Sequence, residues 1–174
     1  MHFSLLPTQK ILERTPYLLN LMLGNLSDEW TNVNEGGETW SVFDIVGHLI
    51  HGEKTDWIPR MEIILSDLEH RTFEPYDRFA QFENSKGKTL VQLLEEFTTL
   101  RQQNLEHLRS KNLSNLDFQK TGKHPVFGDV TLSQLLSTWM VHDLNHLAQI
   151  SRVIARQYTQ EVGPWIEYLS ILKK

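Results

Sequence analysis

Apolar residues recur every three or four positions along most of the chain, which is the helical period. Between Thr15 and Leu26 that spacing is kept by Tyr17, Leu18, Leu21, Met22 and Leu26. Thr15-Pro16 reads as an N-cap followed by a proline at the first helical position, where its missing N–H costs nothing. The helical pattern around Ile11 and Leu12 reads as an earlier segment, kinked at Pro16. After a polar Gly-Gly connector at 32–39, Ser41-Val42-Phe43-Asp44 resembles a capping box. It predicts a helix to about Asp67, kinked or restarted at Pro59.

Residues 70–88 are polar and irregular and read as a long loop. Thr89-Leu90-Val91-Gln92 is a second capping box and opens a helix with Leu90, Leu93, Leu94, Phe97, Leu100, Leu105 and Leu108 on its apolar side. Residues 111–130, with Gly122, Pro125 and Gly128-Asp129, form another connector. Thr131-Leu132-Ser133-Gln134 is a third capping box, and its helix is predicted to reach about Tyr158. Gly163-Pro164 breaks the chain before a short last helix with Trp165, Tyr168 and Leu169 on one face. Four principal helices without an alternating segment predict an all-α helical bundle, one domain over 1–174. The two later connectors are long for a bundle, and such loops are functional or serve as crossovers.

Composition narrows the function. With 40% hydrophobic and 22% charged residues, the 174-residue chain is globular in character. Its net charge is −5 and no block of Lys and Arg stands out, which argues against a nucleic-acid partner. The absence of cysteine excludes disulfides, a thiolate nucleophile and a Cys-type zinc site. The segment Met1–Pro7 lacks a basic signal region and no apolar run is long enough to span a bilayer, so a cytoplasmic protein without a membrane partner is expected.

The chemistry is carried by histidines. His142 and His146 are four residues apart, so their rings share one helix face and can close on one divalent metal. Both lie on the stripe Leu132, Leu135, Trp139, His142, His146, Ile150, Val153, which should face the bundle interior. Burying two imidazoles without partners is costly, so they need hydrogen bonds, a metal or a wet pocket. A third ligand is offered by His48, at the edge of the apolar face of the helix after Ser41, with His51 a rival among polar neighbours. His51 and Asp143 read as solvent-facing or supporting groups, and Glu53 and Asp56 as either support for a ligand or a solvated face. Asp77-Arg78 reads as an ion pair anchoring its loop, Trp139 as core, and His124-Pro125 as a turn. No His-Glu-x-x-His motif, phosphate loop, nucleophile elbow or dinucleotide fingerprint is present.

Trp40-Ser41 with His48 seven residues on, then Gly128-Asp129-Val130-Thr131-Leu132 leading into His142-Asp143-Leu144-Asn145-His146-Leu147-Ala148-Gln149-Ile150, resembles the DinB-like superfamily of metalloenzymes. Phe73 to Phe79, Lys86 to Thr89 and Gly163-Pro164-Trp165 add to the likeness. The resemblance implies a four-helix bundle in an up-down-down-up arrangement, commonly a homodimer. It implies a zinc or nickel ion held by His48, His142 and His146. Relatives include bacillithiol S-transferases and mycothiol-dependent maleylpyruvate isomerases, in which the metal activates a low-molecular-weight thiol. The leading expectation is therefore a metal-dependent enzyme transferring a small thiol to a small electrophile. Metal-assisted hydrolysis of a small substrate is the second, and a non-catalytic dimeric bundle the third. The sequence names no general base.

Overall fold

The computed structural model describes residues 2–173. Its helices are α1 (Leu5–Leu23), α2 (Asp28–Thr31), α3 (Val42–Thr55), α4 (Trp57–Leu65), α5 (Ala80–Asn84), α6 (Leu90–Ser110) and α7 (Leu132–Arg156). A hairpin of β1 (Thr121–His124) and β2 (Gly128–Thr131) precedes α7, and two 3-10 turns, Gly163–Tyr168 and Ser170–Leu172, end the chain.

The bundle's direction is legible from its two core clusters. One joins Leu19 and Leu23, Val42 to Ile50, Leu90 to Phe97, and Ile150 with Val153. The other joins Leu12, Trp57 to Ile64, Leu105 with Leu108, and Leu132 to Trp139. Thus α1 runs from the second cluster to the first, α3–α4 and α6 run back, and α7 runs with α1. This is an up-down-down-up four-helix bundle. Helices α1 and α3 each pack on both α6 and α7.

All three capping boxes form. The side chains of Ser41, Thr89 and Thr131 accept from the backbone N–H three residues on, and Asp44, Gln92 and Gln134 reach back to the cap. Two of these helices carry the histidines, so the caps fix where the histidine-bearing turns begin.

Several predicted elements differ. The chain does not start a helix at Thr15; α1 is continuous across Pro16. A proline inside a helix leaves the carbonyl four residues back without its donor. Here that carbonyl belongs to Leu12, and the Arg101 guanidinium supplies the missing donor at 2.9 Å. The buried face is consequently Leu12, Thr15, Pro16, Leu19 and Leu23, while Tyr17 and Leu21 stand 78% and 86% exposed.

The second difference is the break after Ser41's helix, which falls at Asp56 (φ −110°, ψ −67°) rather than at Pro59. Pro59 cannot bond the Thr55 carbonyl and clashes with it, so the ladder fails one turn upstream of the ring.

The third is the connector before α7, which holds an antiparallel hairpin, Thr121 opposite Thr131 and His124 opposite Gly128. Its three-residue loop closes with Gly128 at φ +73°, a turn chemistry that alternation alone does not reveal. The other long loop pairs with it: Phe73 donates to the Lys123 carbonyl at 3.0 Å, and Lys123 to the Arg71 carbonyl at 2.7 Å. The last segment is 3-10 rather than α-helical, and Trp165 and Tyr168 remain exposed.

Candidate metal centre

The turn of α3 at His48 faces the middle of α7, where the two core clusters meet. There His142 Nε2 lies 3.0 Å from His48 Nε2 and 3.1 Å from His146 Nε2. Among the described residues these three form the one group of His and acidic side chains disposed to share an ion. Three imidazole nitrogens this close repel one another unless a proton or a cation lies between them. Bonds of about 2.0–2.1 Å at tetrahedral angles would place such nitrogens about 3.3 Å apart, close to the spacing found.

The far ring nitrogens differ in their partners, and one of them fixes a tautomer. His146 Nδ1 lies 2.8 Å from Gln149 Oε1, which can only accept, so the proton sits on Nδ1 and the Nε2 lone pair faces inward. His48 Nδ1 has the Tyr76 hydroxyl at 3.1 Å. His142 Nδ1 is buried without a hydrogen-bond partner. Burial, reinforced by the neighbouring imidazoles, pushes His48 down to about 3 and His142 to about 2; burial also lowers His146. All three are neutral at physiological pH, the form that binds a metal. A neutral, convergent three-histidine donor set fits a divalent transition ion.

Aromatic rings surround the trio. Trp40 lies 4.8 Å from His48 and 6.3 Å from His146 between ring centres. Trp57 lies 5.1 Å from His142, and Tyr76 meets His48 edge-on. The histidines open into a cavity of about 470 Å³ whose walls include Trp40, Trp57, Phe73, Tyr76 and Phe127. That is the size of a small-molecule site. Asp56 is the sole acid in its lining. Burial raises the Asp56 carboxyl to about 6, against the opposing charge of Arg60, whose Nε is 2.5 Å away. Burial also raises the Tyr76 hydroxyl, helped by the Asp56 charge.

Behind the histidines lies a fully buried polar knot. Arg101 donates through both terminal nitrogens to Asp143, at 2.6 and 2.9 Å, and through Nη2 to Glu53 Oε1 at 2.8 Å. Thr15 donates to Asp143, while the Trp139 indole and Asn104 donate to Glu53. Burial works against the guanidinium charge, but the two carboxylates more than offset it and hold Arg101 protonated. One side chain or carbonyl from each of α1, α3, α6 and α7 therefore meets at Arg101. This sets the depth and rotation of the helices that bear the three histidines.

Of the predicted site residues, His48, His142 and His146 come together. His51 is buried rather than solvated, but it turns to Tyr76, 4.9 Å away between ring centres, and stays outside the cluster. Asp143 and Glu53 are core ion-pair partners, not surface groups. Asp77 and Arg78 do not pair; Asp77 accepts from the Phe79 N–H and Arg78 lines the cavity. His124 closes the hairpin loop through Nδ1, which accepts from Val126 and Phe127, and it also lines the cavity. Sequence reasoning missed Tyr76 and Arg101. Tyr76 carries no local signal. Arg101 does, because a charge interrupts the apolar row Phe97, Arg101, Leu105.

Residues 11–150 match the DinB superfamily. The curated relatives include "Putative metal-dependent hydrolase OB0782" of Oceanobacillus iheyensis, 24% identical over 84% of this chain and 83% of its own. They also include the uncharacterized protein YuaE of Bacillus subtilis, 26% identical over 75% of this chain and 87% of its own. Among solved structures, YfiT from Bacillus subtilis, described as a probable metal-dependent hydrolase with an unusual four-helix bundle topology, superposes with a TM-score of 0.73. It is 22% identical and covers 87% of this chain and 86% of its own.

Proposed function

As the chain belongs to the DinB superfamily, we propose that it is a metal-dependent hydrolase of a small molecule, with His48, His142 and His146 as the ligands. The observation that carries this is the convergence of three neutral imidazoles on one point at the floor of a small-molecule cavity. Zinc or nickel is the ion proposed, since imidazole donors suit both. When bound, such an ion supplies Lewis-acid polarisation and lowers the pKa of water.

The chain's own residues supply the rest. Gln149 holds the His146 ring so that its lone pair faces inward, and Tyr76 orients the His48 ring. Trp40 and Trp57 exclude bulk water from the ligand side of the cavity. Asp56, ionised above about pH 6, is the lining group able to accept a proton from an attacking water and return it to a leaving group. The names of the relatives support water as the nucleophile. A second reading is transfer of a low-molecular-weight thiol, which a chain without cysteine would take from outside.

The test is turnover of small esters, amides and lactones by zinc- and nickel-loaded protein, with and without added thiols. Hydrolysis that needs no thiol supports the proposal. Turnover only when a thiol is present, with the thiol incorporated in product, replaces it by the second reading.

A further inference from the structure

We propose that the cavity selects monoanionic substrates, carboxylates with a flat apolar body, and that Arg78 is the residue that recognises the charge. This rests on the cavity being the substrate site. Two cations, Arg60 and Arg78, and one anion, Asp56, line it. Arg60 is already neutralised by Asp56. The other arginines paired to carboxylates among the described residues are Arg101, Arg109, Arg152 and Arg156, and Arg78 is not one of them. Two cations less one anion leave one unmatched positive charge in the lining, in a chain whose net charge is −5.

Arg78 is not adrift. Its guanidinium carbon sits 5.4 Å from the centre of the Phe79 ring, and the preceding residue fixes the turn through the Asp77–Phe79 hydrogen bond. The Phe79 ring lies beside the fork, and among the described residues no carboxylate occupies its N–H donors, which leaves them open to a substrate carboxylate. A carboxylate at Arg78 would therefore direct the remainder of the molecule between Trp57, Phe73 and Phe127, toward the histidines. One free arginine matches one negative charge; a phosphate dianion would demand further donors.

The test is binding of phenylacetate and of its neutral isostere phenylacetamide to the full chain, metal-free and zinc-loaded, by calorimetry. In the metal-free protein phenylacetate should bind about tenfold more tightly than the amide, as one charge-assisted pair allows. Arg78→Gln should abolish that preference and Arg78→Lys should retain part of it. Equal binding of the two probes, or a preference untouched by Arg78→Gln, overturns the inference. Phenyl phosphate binding tenfold more tightly than phenylacetate in an Arg78-dependent way overturns the monoanion assignment. The metal-free arm separates this outcome from failure of the metal-centre reading, which shows as loss of zinc binding and not as loss of anion preference.

Discussion

At the residue scale, the site depends on which ring nitrogen each histidine leaves free. A histidine whose pKa is lower folded than unfolded binds fewer protons when folded, so acid favours unfolding. For His48 and His142 the window opens below about 6.5 and extends toward about 3 and 2. The metal-free protein is therefore expected to lose thermal stability as pH falls from about 6.5 to 4. His142→Leu should flatten that slope, checked by melting curves across pH. Asp56 has the opposite sign: its carboxyl is protonated below about pH 6 and ionised above. Hydrolysis should rise through about pH 6, and Asp56→Asn should cut kcat by about 100-fold and remove that limb.

At the element scale, the sequence shows which helices exist better than how each is rotated. The capping boxes and the stripe from Leu132 to Val153 were legible because local chemistry and periodicity decide them. α1 was read with the wrong face because its buried side includes Thr15 and Pro16, in a turn whose partners lie 89 to 128 residues away. That partnership predicts a large effect. Arg101→Met removes the donor to Leu12 and strands two buried carboxylates, and should cost about 3–5 kcal/mol in denaturant unfolding. The hairpin was missed because its determinant is a close approach, not a pattern. A Cβ on Gly122 would lie 2.5 Å from Phe73 Cε1 and 2.9 Å from Ile64 Cγ1. Gly122→Ala should destabilise by about 1–3 kcal/mol, measured the same way, because both neighbours must shift.

At the scale of the whole molecule, the up-down-down-up arrangement is what lets His48, on a descending helix, meet two histidines on an ascending one. The two long connectors, opaque as sequence, pair at the Phe73–Lys123 contact and wall the cavity opposite the ligands. The convergence of the three histidines was therefore readable, two members from spacing and the third, His48, from its place at the edge of an apolar helix face, with the resemblance preferring it to His51. The cavity's other walls, Tyr76, Arg78 and Phe127, were not, because they come from segments with no period to betray them. The metal itself gives the most direct test. Elemental analysis of protein purified without chelators should find about one zinc or nickel per chain, lost in His142→Ala while the helical fold is retained. A wild-type chain that holds no stoichiometric transition metal under those conditions, and takes up none on titration, would contradict the account.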